Sequence, residues 1–255
     1  MAVTIEQIKN LREATGVSMT SCKSALEEAN GDFDKAVDVL RKKGEAKAAA
    51  RADRTTKEGA ISAKIEGKKA FMVQVGCETD FVSVGDEFVA LVEKVLGKLV
   101  KGEIKSEDRD VPEVKEFGMK TGEKVQVMNM AEISGDVLGM YIHPNKKIGV
   151  LVSMEGGNAD LLKDVCMQVA ATDPKVISPD EIGQDLVDKE KEIWSDQLKK
   201  EGKPEAIVEK IMMGKEKKFR EENALLKQPF IKDPNKNIEA LLGGAKVLKF
   251  VRFAF

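Results

Sequence analysis

From Gly59 onward apolar and polar residues alternate, and the pattern then recurs in the same order: hairpin, helix, strand. Ile61, Ala63 and Ile65 alternate with Ser62, Lys64 and Glu66; Gly67-Lys68 supplies a turn; Phe71, Val73 and Val75 return. Period two on both sides of a short glycine turn predicts a β-hairpin. The run Lys69–Val75 is apolar and β-branched enough for a buried strand. An amphipathic helix is predicted over 86–100, its acidic start suiting the positive end of a helix dipole. A short helix near Pro112–Lys120 and a strand over Lys124–Ile133 complete the unit. Val137–Ile142 and Lys147–Met154 then flank Pro144-Asn145-Lys146 as a second hairpin. It is followed by a helix over 159–171 and, after an insertion, a closing strand over Ala245–Phe253. The expected fold class is therefore α+β, with two related α/β subdomains over 59–135 and 136–255. Each is a small antiparallel sheet covered by helices. The two halves share few letters, so the repeat rests on the pattern.

Residues 1–43 read as three short helices. Thr4-Ile5-Glu6-Gln7 is a capping box, Ile5, Ile8 and Leu11 share a face, and Gly16 ends the first helix. Ser18–Ala29 forms the second, closed by Asn30-Gly31, and Asp32 caps a third that holds Phe33, Val37 and Leu40. The size and helix pattern are those of a ubiquitin-associated-like bundle. Residues 44–58 read as a solvated linker, since alanines and alternating charges favour helix but no apolar stripe is there to pack. Within the second subdomain, 179–226 is an insertion. Ser178-Pro179-Asp180-Glu181 is a capping box with proline at the first helical position. Two long helices follow, joined at Gly202-Lys203-Pro204. Between Asp185 and Glu222, 21 of 38 residues are charged, too many for burial on all sides. Leu186, Ile193, Trp194, Ile207, Ile211 and Phe219 supply a narrow seam for a protruding hairpin.

Composition removes several classes of function. Charged residues make up 34% of the 255 and the net charge is −2, so there is no global pull toward nucleic acid or an anionic membrane. Cys22, Cys77 and Cys166 are odd in number and far apart, which speaks against a disulfide framework or a Cys-x-x-Cys metal site. Buried thiols are the simpler reading. No phosphate-binding loop or dinucleotide fingerprint is present, and with His143 as the only histidine a nucleophilic triad has little to build on. No catalytic residue, cofactor or metal is expected. Neither a signal peptide, nor a transit peptide, nor a membrane span is expected. That suits a cytoplasmic protein, from a bacterial gene or a trimmed organellar form.

Between the strand at Lys69–Val75 and the helix from Asp86 lies Gly76-Cys77-Glu78-Thr79-Asp80-Phe81-Val82-Ser83-Val84. A junction at the end of rigid elements is where binding residues tend to be placed. Cys-Glu-Thr-Asp-Phe-Val after a strand resembles the signature of the elongation factor Ts family, guanine-nucleotide exchange factors for the GTPase elongation factor Tu. The resemblance extends along the chain. Leu11–Gly16 with Cys22–Leu26 resembles the family's opening, and His143 with Ile148–Val152 its second core segment. Met167–Ala171 and Gln228-Pro229-Phe230 resemble later ones.

The resemblance implies binding to elongation factor Tu and faster GDP release through disturbance of its Mg²⁺/phosphate site, so that GTP can reload. Carried over, Phe81 is a wedge between GTPase side chains, Asp80 its polar partner, and Thr79 and Val82 shape the turn. The family's N-terminal module also docks on the GTPase, which makes Arg12, Met19 and Lys23 candidate contacts, with His143, Ile148 and Gly149 candidates near its β-barrel part. The family's protrusion takes part in dimer contacts, which points to a homodimer through 179–226. Gly76 departs from the usual asparagine, and Ser83-Val84-Gly85 from an Ala-Arg/Lys continuation. A helical tail found in some members after the last strand is not expected here. Competing readings stay open: Phe81 and Met19 as core residues, His143 as an ordinary turn residue, the 179–226 hairpin as a self-packed pair with no partner, the whole chain as a non-exchanging adaptor, or RNA binding through Arg41–Arg54.

Overall fold

Two strands are buried on both faces, and the core is layered around them. The computed structural model describes residues 3–201 and 204–255. β1 (Glu58–Glu66), β2 (Lys69–Cys77) and β3 (Gln126–Ser134) form one antiparallel sheet with β2 central. β4 (Val137–Ile142), β5 (Ile148–Glu155) and β8 (Lys246–Ala254) form another with β5 central. Between Asn223 and β8 lies a small ribbon of β6 (Pro229–Phe230) and β7 (Asp233–Asn237), not anticipated from the sequence.

The register explains the burial. Glu66 pairs with Lys69 across the turn, so Ile61 faces Gln74, Ala63 faces Met72 and Ile65 faces Ala70. The two apolar sets of the first hairpin therefore point to opposite sides of the sheet. Phe71, Val73, Val75 and Cys77 pack against Phe88, Val92 and Val95 of α5 (Asp86–Lys101) and Val114 of α6 (Pro112–Thr121). Ile61, Ala70, Met72 and Ile133 instead meet Leu151 of the second sheet. That sheet repeats the arrangement. Val150, Val152 and Met154 face Val165, Cys166 and Val169 of α7 (Ala159–Thr172) and Ile238 of α10 (Ile238–Leu242). The layers thus run helix, sheet, sheet, helix. Helical covers were legible in the pattern; the stacking of the two uncovered faces was not. Each large apolar side chain buried there contributes roughly 1.5–3 kcal/mol, so faces left apolar by both sheets gain most against each other. Gly149 allows the close approach, since a Cβ there would lie 2.5 Å from Ile61 Cγ2 and 2.8 Å from Met72 Sδ. Polar bridges also cross the seam: Gln74 Nε2 donates to Ala254 O (2.9 Å) and Ser153 Oγ to Ser134 O (3.2 Å).

The N-terminal region is three-helical: α1 (Ile5–Thr15), α2 (Met19–Glu28) and α3 (Phe33–Ala50), around Ile8, Leu11, Cys22, Leu26 and Leu40. The Thr4/Gln7 capping box forms. α3 continues to Ala50, through the first part of the expected linker. The remainder is tied to the core rather than left in solvent. Arg51 donates to Gly118 O (3.4 Å), and Lys124 Nζ donates to Ala52 O and Arg54 O (2.6 and 3.0 Å). Gly44, on α3, lies so close to Met119 of α6 that a Cβ would fall 2.1 Å from its sulfur. These partners come from about 70 residues further along the chain, where no local pattern announces them.

The insertion is a helical pair, α8 (Gln184–Lys200) and α9 (Glu205–Asn223). The Ser178/Glu181 box caps a single 3₁₀ turn, Pro179–Glu181, and α8 starts after Gly183. Val187, Trp194 and Leu198 are the buried seam of α8, with Trp194 edge-on to Phe219 at 5.8 Å. Leu186 and Ile193, expected in that seam, are exposed, as is Ile207. One residue of helix is about 100°, so the frame Val187–Trp194 faces inward and Leu186–Ile193 is rotated out. The expected joint falls partly on 202–203, outside the described residues. No helix among the described residues is long and apolar enough to cross a membrane.

Candidate functional site

At the end of β2 the chain passes into α5 through one tight turn, α4 (Asp80–Ser83). Thr79 is its N-cap, with Oγ1 accepting from Val82 N–H (3.4 Å), the role for which threonine before an acidic residue is suited. Four residues of helix do not hold themselves, and the anchors come from β3's approach. Glu123 Oε2 accepts from the N–H groups of Glu78 and Thr79 (3.0 and 3.1 Å), and its Oε1 accepts from the Thr79 hydroxyl (2.6 Å). Glu78 reciprocates. Its carboxylate accepts from Lys124 N–H (2.6 Å) and from Arg54 (3.1 Å). Those bonds, the Lys124 amide first, hold its pKa below the usual glutamate value. The two carboxylates clasp adjacent ends of β2 and β3, so the turn stands on a fixed base.

On that base the side chains divide. Val82 packs against the core cluster and Ser83 is buried, its hydroxyl donating to Asp80 O (2.9 Å). Asp80 is exposed and its Oδ1 accepts from Phe81 N–H (2.9 Å). Phe81 is 85% exposed, and Val84, one helical turn on, is 74% exposed. A core role for Phe81 is therefore excluded; Phe88 holds the core position, at 0% exposure. Phe81 and Val84 stand together as an i, i+3 apolar pair in water. Val84 was not singled out in the sequence, although the spacing within a helical turn was the available signal. Glu123 lies 44 residues from Thr79 and carried no local signal.

Cys77, at the base of the turn, is not a reactive group. Burial, with Glu123 as the next cause, pushes its thiol up to about 12, and burial does the same for Cys166.

The second hairpin comes to the same region. His143 and Ile148 are half-buried at its tip, and Asn145 Oδ1 accepts from Lys147 N–H (3.0 Å). His143 Nδ1 lies 3.0 Å from the same oxygen. Lys147 Nζ reaches Ser83 Oγ at 3.4 Å, so the His143–Ile148 segment and the Thr79–Val82 turn are brought together. Gly149 is buried between the sheets, which places it at a packing position and not on the surface. Arg12, Met19 and Lys23 lie on the separate three-helix region. All three are exposed, Lys23 beside Glu27 at 3.8 Å. Met19, at 36% exposure, is outside the bundle core, so the core-filling alternative does not hold.

Residues 78–255 match the family model described as elongation factor TS, beginning at the junction itself. An elongation factor Ts from Hydrogenobaculum sp. is 47% identical over 94% of this chain and 93% of its own length. One from Deinococcus deserti is 43% identical, covering 98% of both chains, and one from Teredinibacter turnerae 41% identical over 99% of this chain and 90% of its own. A family match over most of the chain, and relatives above 40% identity along nearly all of it, show that the chain belongs to the elongation factor Ts family.

Proposed function

We propose that the protein is a translation elongation factor of the cytoplasm that binds the GTPase elongation factor Tu and accelerates GDP release. The observation that carries this reading is an aromatic ring, Phe81, held 85% in water on a turn clasped by two carboxylates. A folded chain gains nothing from that exposure, whereas a partner that buries the ring gains roughly 1.5–3 kcal/mol. Exchange requires that factor and nucleotide weaken each other's binding to the GTPase, and the coupling is reciprocal. GDP is held largely through its phosphates and the Mg²⁺ that neutralises them. Phe81, with Val84 beside it, acts as a wedge that displaces the elements around that ion, and Asp80 meets polar groups at its edge. One ring supplies roughly ten- to a hundredfold, and contacts at His143 and Ile148 and at Arg12, Met19 and Lys23 on the bundle supply the rest of the coupling. The protein supplies no reacting group; its work is differential binding.

The RNA alternative is weakened because Arg51 and Arg54 are occupied within the protein. The exposed residues Leu186, Ile193 and Ile207 support a homodimer contact through the 179–226 hairpin, which sedimentation at increasing concentration tests. Stopped-flow release of a fluorescent GDP from elongation factor Tu tests the main reading. The expected result is an off-rate that rises and saturates with added protein. Binding without any change in off-rate would replace exchange by the adaptor reading.

A further inference from the structure

The connection at 143–147 is more firmly fixed than a hairpin turn needs to be. His143 N–H donates to Ile148 O (2.9 Å) and Lys146 N–H to His143 O (2.7 Å), with Lys146 in the left-handed region at φ 57°. From the first half of the molecule Ile61 N–H donates to Lys146 O (2.9 Å), and from the end of the chain Phe255 N–H donates to Lys147 O (3.1 Å). The backbone on either side of the Lys147 side chain is thus pinned to β1 and to the chain's last residue.

The Lys147 ammonium then gathers three segments. Its Nζ pairs with the Glu58 carboxylate, donates to Gly59 O (2.9 Å) and reaches Ser83 Oγ (3.4 Å). It also lies 5.2 Å from the centre of the Phe255 ring. An ammonium has three N–H donors, and three oxygens meet this one. Two belong to the start of β1 and the third to α4. Ser83 is 5% exposed, and its hydroxyl passes the contact on to Asp80 O, the carbonyl of the residue before Phe81. A continuous polar path therefore leads from the second hairpin to the wedge.

We propose that Lys147 is a positioning residue for exchange: by holding Ser83 it fixes the α4 turn from the second half of the molecule, so that Phe81 and Val84 are presented in one orientation. The inference rests on the exchange reading above. Glu123 fixes the start of the turn, at Thr79, and Lys147 fixes its end, at Ser83. A four-residue helix anchored at one end alone can pivot; anchored at both it cannot. The charge matters because Glu58 is only partly exposed, and a carboxylate there needs a counter-ion as well as a hydrogen bond.

The test uses the full chain with Lys147→Met, Lys147→Arg and the nearly isosteric Ser83→Ala. GDP release from elongation factor Tu is read alongside deuterium uptake of the 79–85 segment in the free protein. Lys147→Met is expected to lower the exchange rate roughly tenfold, the size of one lost charge-assisted hydrogen bond. Uptake at 79–85 rises, while α5 stays protected. Lys147→Arg recovers part of the rate, Ser83→Ala reproduces part of the loss, and combining Lys147→Met with Phe81→Ala costs little beyond Phe81→Ala alone. Wild-type exchange and wild-type uptake in Lys147→Met would overturn the proposal. So would losses that add in full to those of Phe81→Ala and follow a lowered melting temperature across the whole molecule. If the wild-type protein leaves GDP release at its spontaneous rate, the exchange reading falls, and the uptake of 79–85 still decides whether Lys147 holds the turn.

Discussion

At the scale of single residues, exposure separates function from packing. Phe81 and Phe88 lie seven positions apart and have opposite environments, 85% and 0% exposed. Phe81→Ala should cut exchange by ten- to a hundredfold, the equivalent of one buried ring, and leave the melting curve unmoved. Phe88→Ala should cost about 3–5 kcal/mol of stability. Thermal melting beside stopped-flow release checks both. Glu113 supplies a pH-dependent counterpart. Lys98 at 2.6 Å, with Lys94 at 3.3 Å as a second partner, holds its pKa down at about 2 although burial opposes this. Because the folded pKa is depressed, its stabilisation is present above the unfolded value near 4.5 and is lost as pH falls from there to about 2. Discounted for the partly exposed lysines, the effect is on the order of 1–2 kcal/mol. Glu113→Gln should flatten the acid limb of a denaturant-stability profile over that range. A profile unchanged by the substitution would show the pair to be idle.

Elements were legible wherever pattern and capping agreed. The strands of both hairpins, α5, α6 and α7 fall within a few residues of their expected ends, because alternation, glycine turns and acidic first turns all pointed one way. The errors have local causes. The Ser178 box points to the start of a long helix, yet Gly183 interposes and the helix begins at Gln184. In α8 the expected seam holds at Trp194 but not at Leu186 and Ile193, since Leu186/Ile193 and Val187/Trp194 both follow a seven-residue spacing and only packing chooses between them. Trp194→Ala should loosen the hairpin without unfolding the sheets. Hydrogen exchange should then show faster opening in 184–223 and unchanged protection in β2 and β5; loss of protection in both would mean that the hairpin is part of the core's cooperative unit.

At the scale of the molecule, the face-to-face contact of the two sheets decides the architecture. Gly149→Val should be more harmful than its conservative chemistry suggests, because the first added carbon already collides with Ile61 and Met72. Overpacking of that kind costs typically about 1–3 kcal/mol, readable as a shift in denaturant midpoint at unchanged slope. The sequence by itself determined the order of elements, the α+β class and the junction at Thr79–Val82, since alternation, capping and turn chemistry act within a few residues of chain. Only the tertiary structure decided which faces of the two sheets meet, how the 44–58 stretch is tied down, and that Glu123 and Lys147 grip the two ends of one short turn. The contacts of the turn and of the 44–58 stretch join residues 44 to 72 positions apart, and all of them are chosen by which apolar faces and unpaired charges remain once the local structure has formed.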